Sequence, residues 1–105
     1  MARAVDDPHL QDIKQAISTL YRDRLDHLVL YGSRARGTAS SDADYDVAVF
    51  LHDVDDPWCE LDRLADLRIE LMDRTGIFLD AKPFKSSERL DIPVLEEIGR
   101  DGREF

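Results

Sequence analysis

A chain of 105 residues, 43% of them hydrophobic and 35% charged, has room for one small domain with a real core and is neither disordered nor membrane-like in composition. Its 23 acids against 14 bases give a formal charge of −9, which excludes a passive nucleic-acid-binding surface, since affinity for phosphate backbones comes from Lys and Arg. The acidity suits solubility, a basic protein partner or a metal site.

Residues 1–105 read as one domain without repeats, linkers or low-complexity segments. Cys59 is the single cysteine, so no intrachain disulfide forms and a reducing compartment is expected. No apolar run approaches a membrane span, and the N-terminus lacks the apolar stretch of a signal peptide. The cytoplasm is the expected location.

Met1 to Asp7 reads as a frayed terminus. Asp7-Pro8 then looks like an N-cap with proline in the first helical turn. Leu10, Ile13, Ile17, Leu20 and Tyr21 recur at helical spacing, which predicts a first helix to about Asp23 or Leu25 with that stripe in the core. His27 to Tyr31 is predicted as the first strand, with His9 and His27 as surface or strand-edge residues. Ser33 to Arg36 suits a short helix, and Thr38 to Asp42 a polar loop. Tyr45 to Leu51 is the second strand, placed centrally because neither face is polar throughout. Asp53, Asp55 and Asp56 read as a solvated turn and an N-cap before Pro57.

The next helix is predicted from Pro57 to about Arg74. Its expected buried stripe is Trp58, Leu61, Leu64, Ala65, Leu71 and Met72, and Thr75-Gly76 stops it. Ile77 to Lys82 is the third strand, ending before Pro83. Asp80 stands in the middle of it, either as a functional carboxylate or as a solvent-facing residue on an edge strand paired with Lys82. A last helix, about Ile92 to Arg100, uses Ile92, Leu95 and Ile98, and Gly99 and Gly102 mark its fraying end.

The chemistry concentrates between Tyr31 and Leu51. An apolar run, Leu28-Val29-Leu30-Tyr31, stops at Gly32-Ser33, and a polar loop with Arg34, Arg36 and Gly37 follows. The second strand then opens with Asp44 and Asp46. Side chains alternate along a strand, so these two carboxylates share a face, roughly 6–7 Å apart. They repel each other unless a cation lies between them, and a hard divalent ion such as Mg²⁺ fits. Gly32-Ser33 suits a phosphate: glycine admits close backbone approach, and N–H groups with a hydroxyl can hold an anion. Arg34 and Arg36 either neutralise phosphate or serve solubility, and Gly37 shapes the loop.

Gly32, Ser33, Asp44 and Asp46, in the order Gly-Ser, loop, Asp-x-Asp and apolar strand, resemble the nucleotidyltransferase superfamily that includes DNA polymerase beta. The string GSRARG ahead of the Asp-x-Asp is similar to its small branch, the minimal nucleotidyltransferases. The resemblance covers nearly the whole chain. It implies an α/β (α+β) nucleotidyltransferase fold, with a small mixed sheet of three to four strands packed against helices. It also implies a third metal carboxylate on a later strand, which falls on Asp80.

By the same resemblance, Asp44, Asp46 and Asp80 bind two Mg²⁺ ions, or Mn²⁺, about 3.5–4 Å apart and carry catalysis. Gly32, Ser33, Arg34 and Arg36 hold the triphosphate of ATP. Minimal members are typically paired with a small helical toxin of the HEPN class and act as its antitoxin. Members of this branch can transfer AMP to a tyrosine of that toxin. Larger relatives add an acceptor-binding domain for which this chain has no room, so acceptor recognition is expected from a second subunit, in a homo- or hetero-oligomer, or from the partner. The alternatives are an antitoxin that acts by binding alone and, more weakly, a metal-dependent hydrolase. The hydrolase leaves the Gly-Ser turn without a role.

Overall fold

The computed structural model describes residues 7–40, 42–87 and 93–105. The expectations for Met1–Asp6 and for Ile92 lie outside these residues. The chain runs α1 (Pro8–Tyr21), β1 (Leu25–Tyr31), α2 (Gly32–Arg36), β2 (Tyr45–Leu51), α3 (Pro57–Thr75), β3 (Leu79–Lys85), α4 (Pro93–Asp101) and β4 (Arg103–Glu104). Both long helices start as their caps dictate. Asp7 accepts from the His9 N–H and Asp56 from the Trp58 N–H, each at 3.0 Å and each before a proline in the first turn. Gly76 ends α3 in the left-handed conformation, at φ +78°.

The four strands form one mixed sheet in the order β3-β2-β1-β4. β1 pairs antiparallel with β2 and with β4, while β2 and β3 are parallel and α3 is their crossover. β2 is therefore central, as its two apolar faces require. On one face Leu28, Leu30, Tyr45, Val47, Val49, Leu51 and Leu79 pack under α1 and α3. On the other, Val29, Tyr31, Ala48 and Phe84 meet Ile98 of α4. No helix among the described residues is long and apolar enough to cross a membrane.

Several boundaries differ from those the sequence predicts. α1 stops at Tyr21, and Arg22–Arg24 form a 3-10 turn, with Arg22 at φ +53°. β1 begins at Leu25 rather than His27. β3 continues through Pro83 to Lys85. An edge strand tolerates a missing N–H on its unpaired side, and β3 is that edge. The C-terminal end is not frayed. Gly99 lies inside α4, and β4 follows directly against β1. A side chain at Gly102 would strike Ile98 O and Val29, so that glycine is where the chain turns tightly onto the sheet. Phe105 N–H then donates to Leu28 O at 3.1 Å.

The largest correction concerns α3. Its buried residues are Leu64, Leu67, Leu71 and Glu60, whereas Trp58, Leu61, Ala65 and Met72 are exposed. The helix carries two apolar stripes, and periodicity alone cannot say which one meets the sheet. Glu60, 3% exposed, is held by Arg24 of the 3-10 turn and by Arg63 at 3.4 Å. Burying it unpaired would be costly, so the Arg24 pair fixes the turn against α3.

Candidate active site

The register of the sheet assembles the site. Tyr31 of β1 stands opposite Asp46 of β2, and Asp46 stands beside Asp80 of β3. Neighbouring strands are roughly 4.8 Å apart, so Asp46 and Asp80 stand side by side. Leu79 and Ala81 belong to the core under α1 and α3, which turns Asp80 to the opposite face, with Asp46 and Ala48. Asp44 lies in the loop two residues before Asp46.

β1 ends at Gly32, whose φ of +74° suits glycine. A Cβ placed there would strike the Asp46 carboxylate, Oδ2 first. The Gly-Ser turn therefore lies flush against Asp46, with no room for a side chain at 32. Ser33 follows, half-buried, in α2.

Burial pushes the Asp46 carboxyl above the ordinary carboxylate range. The Asp80 charge adds to this, Lys82 opposes it, and Asp44 and Glu97 contribute further repulsion. Glu97 of α4 has no signal in the sequence, because only the docking of α4 on the sheet brings it here. Asp80 does form the ion pair with Lys82, at 3.2 Å, and the Lys82 ammonium lies 5.9 Å from the centre of the Tyr31 ring. Among the described residues, no three His, Cys, Asp or Glu side chains converge closely enough to hold a metal ion as placed. The mutual repulsion at Asp46 fits a divalent cation in charge. For Asp80 to join, it must leave Lys82.

The two arginines of the loop have partners. Arg34 donates from Nη2 and Nε to Ala43 O at 2.8 and 3.2 Å, and its guanidinium lies 4.1 Å from the Tyr45 ring centre. It thus grips the residue before Asp44. Arg36 pairs with Asp101 at 3.5 Å. Gly37 closes α2 in the left-handed conformation, and Arg103 Nε donates to Ala35 O at 2.8 Å.

Tyr45, between the two carboxylates, points into the opposite face. Its hydroxyl donates to Asp7 Oδ2 at 2.6 Å and lies 3.0 Å from His9 Nδ1, which must then be the donor in that contact. His9 and Asp7 are therefore more than surface residues: with Arg34 they brace both flanks of the Asp44–Asp46 segment. Burial and the Asp7 charge push the Tyr45 phenol up to about 12. Burial works against the Asp7 charge too, but the Tyr45 hydroxyl, the His9 N–H and the nearby His9 and Arg34 charges hold its carboxyl below the ordinary value. A depressed acid contributes stability that is present above its unfolded pKa and lost as pH falls through its folded pKa. Tyr45→Phe should cost about 1 kcal/mol at neutral pH, a charged hydrogen bond discounted for partial exposure. The difference from the parent should close in acid, as read by urea midpoints across pH.

A family model described as Polymerase beta, Nucleotidyltransferase matches residues 11–104. A curated relative from Methanocaldococcus jannaschii, named "Putative protein adenylyltransferase MJ0141", is 36% identical over 45 residues. That alignment covers 43% of this chain and 46% of the relative, so the chain matches under half of that protein's length. Among solved structures, a toxin-antitoxin with AMP-PNP superposes with a TM-score of 0.65 at 21% identity, over 90% of this chain and 69% of the other. A mutant of the MntA-HpeT toxin-antitoxin gives 0.63 at 19% identity, over the same 90% and 69%. These two likenesses show the fold.

Proposed function

The chain belongs to the polymerase beta nucleotidyltransferase family, and we propose that it transfers AMP from ATP to a hydroxyl of a partner protein, a tyrosine of a small helical toxin, and thereby acts as an antitoxin. The observation that carries this is the alignment of Tyr31, Asp46 and Asp80 across three strands with Gly32 against the Asp46 carboxylate. It joins a phosphate seat to a carboxylate cluster on one face of the sheet. The relatives support the choice of reaction: one is named "Putative protein adenylyltransferase MJ0141" and another is a toxin-antitoxin with AMP-PNP. The 105 residues act as one catalytic domain, in the cytoplasm where ATP and Mg²⁺ are at hand.

Asp44 and Asp46, with Asp80 released from Lys82, would hold two Mg²⁺ ions, or Mn²⁺. Bound there, the ions supply charge neutralisation of the triphosphate and a lowered pKa for the acceptor hydroxyl. The Gly32 N–H and Ser33 Oγ hold the β- and γ-phosphates, so that pyrophosphate leaves opposite the incoming oxygen. Asp80 takes the proton of the acceptor hydroxyl. Lys82, freed from Asp80, and Arg36, freed from Asp101, offset phosphate charge. Arg34 keeps its grip on Ala43 and sets the position of Asp44.

The Asp80–Lys82 pair favours a second reading, in which the chain neutralises its partner by binding alone and the carboxylates are inherited. Transfer of label from α-³²P-ATP to the product of the adjacent gene, with Asp44→Asn/Asp46→Asn as control, decides between them. Mg²⁺-dependent label that vanishes in the control establishes the transferase. A tight complex without label in either form establishes the binder. Ser33→Ala should weaken ATP binding about tenfold, the loss of one hydrogen bond to a charged group, with the rate at saturating ATP little changed. Titration calorimetry alongside the label assay separates the two, since a lower saturated rate at unchanged affinity would place Ser33 in the transition state instead.

A further inference from the structure

Exposed apolar side chains scattered singly need no explanation, but those of α3 are not scattered. Trp58, Leu61, Ile69 and Met72 are 75%, 41%, 56% and 40% exposed. With the exposed Ala65 they recur every three or four residues, forming a stripe of about 21 Å along the helix. At about 100° per residue, it lies about 130° around the axis from the buried side, Glu60, Leu64, Leu67 and Leu71. α1 lies along the flank of Leu67, Glu70 and Arg74, with which it shares a groove. The stripe is on the other flank, beside the edge strand β3. Pro83 in that strand blunts its edge for strand addition, which leaves the helix as the docking element.

We infer that this face of α3 is the docking surface for a partner protein that presents an apolar groove with Lys and Arg along one rim. The charge around the stripe argues for that occupant. Asp62, Asp66 and Asp73 form an acidic row along the flank of the stripe that faces away from the sheet, and Arg68 alone lies on the other flank. A second copy packed antiparallel about a two-fold axis would set acidic row against acidic row, between chains each carrying −9. A basic rim satisfies the row instead and quickens association.

Position ties the surface to the site. β2 and β3 start at the same end of the sheet, and α3 carries the chain back to that end. The Met72 end of the stripe therefore lies at the end where Asp46 and Asp80 stand. A partner seated along α3 reaches that end of the sheet, and only a segment of it that passes around the β3 edge would bring an acceptor hydroxyl to Asp46 and Asp80 on the opposite face. That last step rests on the proposed transfer to a protein. The docking surface itself does not.

Trp58 is the only tryptophan of the chain, so it reports on the face directly. The chain is labelled with 5-fluorotryptophan and titrated with the product of the adjacent gene. The single ¹⁹F resonance should shift on binding. Ile69→Glu, and separately Asp62→Lys/Asp66→Lys, should each weaken the complex at least tenfold, and the charge reversal should also flatten its salt dependence. Asp12→Lys, on the α1 side, should bind as the parent does. All three variants are surface changes, and circular dichroism checks their folding. An unmoved resonance, parental affinity in both variants, no complex at all, or a resonance that moves with the concentration of the chain alone would each overturn the proposal. A chain that docks through α3 yet transfers no label leaves this inference standing and overturns the transferase reading.

Discussion

Asp46→Asn is expected to abolish AMP transfer, by at least about a thousandfold, while making the metal-free protein more stable. On the proposed function, the rate loss follows from removing a carboxylate that would hold the metal ions, whose stabilisation of transition-state charge would be worth several kcal/mol. The gain in stability follows from what surrounds Asp46. It is partly buried, stands beside Asp80, and also feels Asp44 and Glu97, with Lys82 opposing them. Its raised carboxyl pKa means that ionisation costs folding free energy. The cost is absent below the unfolded carboxylate pKa and appears as pH rises through the folded one. The urea midpoint of Asp46→Asn should therefore exceed the parent's at neutral pH without Mg²⁺, and the two should converge in acid. Added Mg²⁺ should raise the parent and leave the variant unmoved. Full transfer by the variant would end the carboxylate assignment.

Gly32→Ala has the second-largest expected effect, and it strikes fold and chemistry together. The φ of +74° disfavours any L side chain by about 1–2 kcal/mol. The new methyl would also meet the Asp46 carboxylate, where overpacking typically costs about 1–3 kcal/mol. Something must shift, and Asp46 is the nearest group able to do so. Displacing a reacting-site carboxylate by about 1 Å is enough to lose about a hundredfold in rate. Because the clash is with one side chain, Gly32→Ala/Asp46→Ala should recover part of the lost stability without recovering transfer. Such non-additivity is the signature of direct contact. Strictly additive urea midpoints would show that the methyl finds room elsewhere.

Both predictions start from residues visible in the chain, but in different ways. Gly32 and Asp46 stand out in the sequence because their types and spacing answer a chemical need. Their contact does not, since fourteen residues separate them and only the antiparallel register of β1 and β2 brings them together. Asp80 shows the same division. A carboxylate inside an apolar run was conspicuous, and its pair with Lys82 was foreseeable two residues on. Its place beside Asp46 required the parallel register set by α3. Glu97 and the Asp7–Tyr45–His9 contacts carried no signal at all, because helix docking and a 36-residue or longer separation produce them.

The α3 stripe marks the limit of periodicity. The sequence contained two apolar stripes on one helix, and its predicted core took Leu64 and Leu71 from one and Trp58, Leu61, Ala65 and Met72 from the other. The structure gave the core to Leu64, Leu67 and Leu71.

By itself the sequence determined the order of elements from α1 to α4, the helix starts at Asp7-Pro8 and Asp56-Pro57, the central strand Tyr45–Leu51 with its two faces, and the choice of Gly32-Ser33, Asp44, Asp46 and Asp80 as candidate site residues. These rest on local chemistry: caps, alternation, and glycine where a side chain cannot go. Only the tertiary structure decided which stripe of α3 is buried, that the chain after α4 returns as β4, that β3 runs on through Pro83, and which charges surround Asp46. These depend on which surfaces meet. Burial, register and repulsion are properties of pairs distant in sequence, and no single segment contains them.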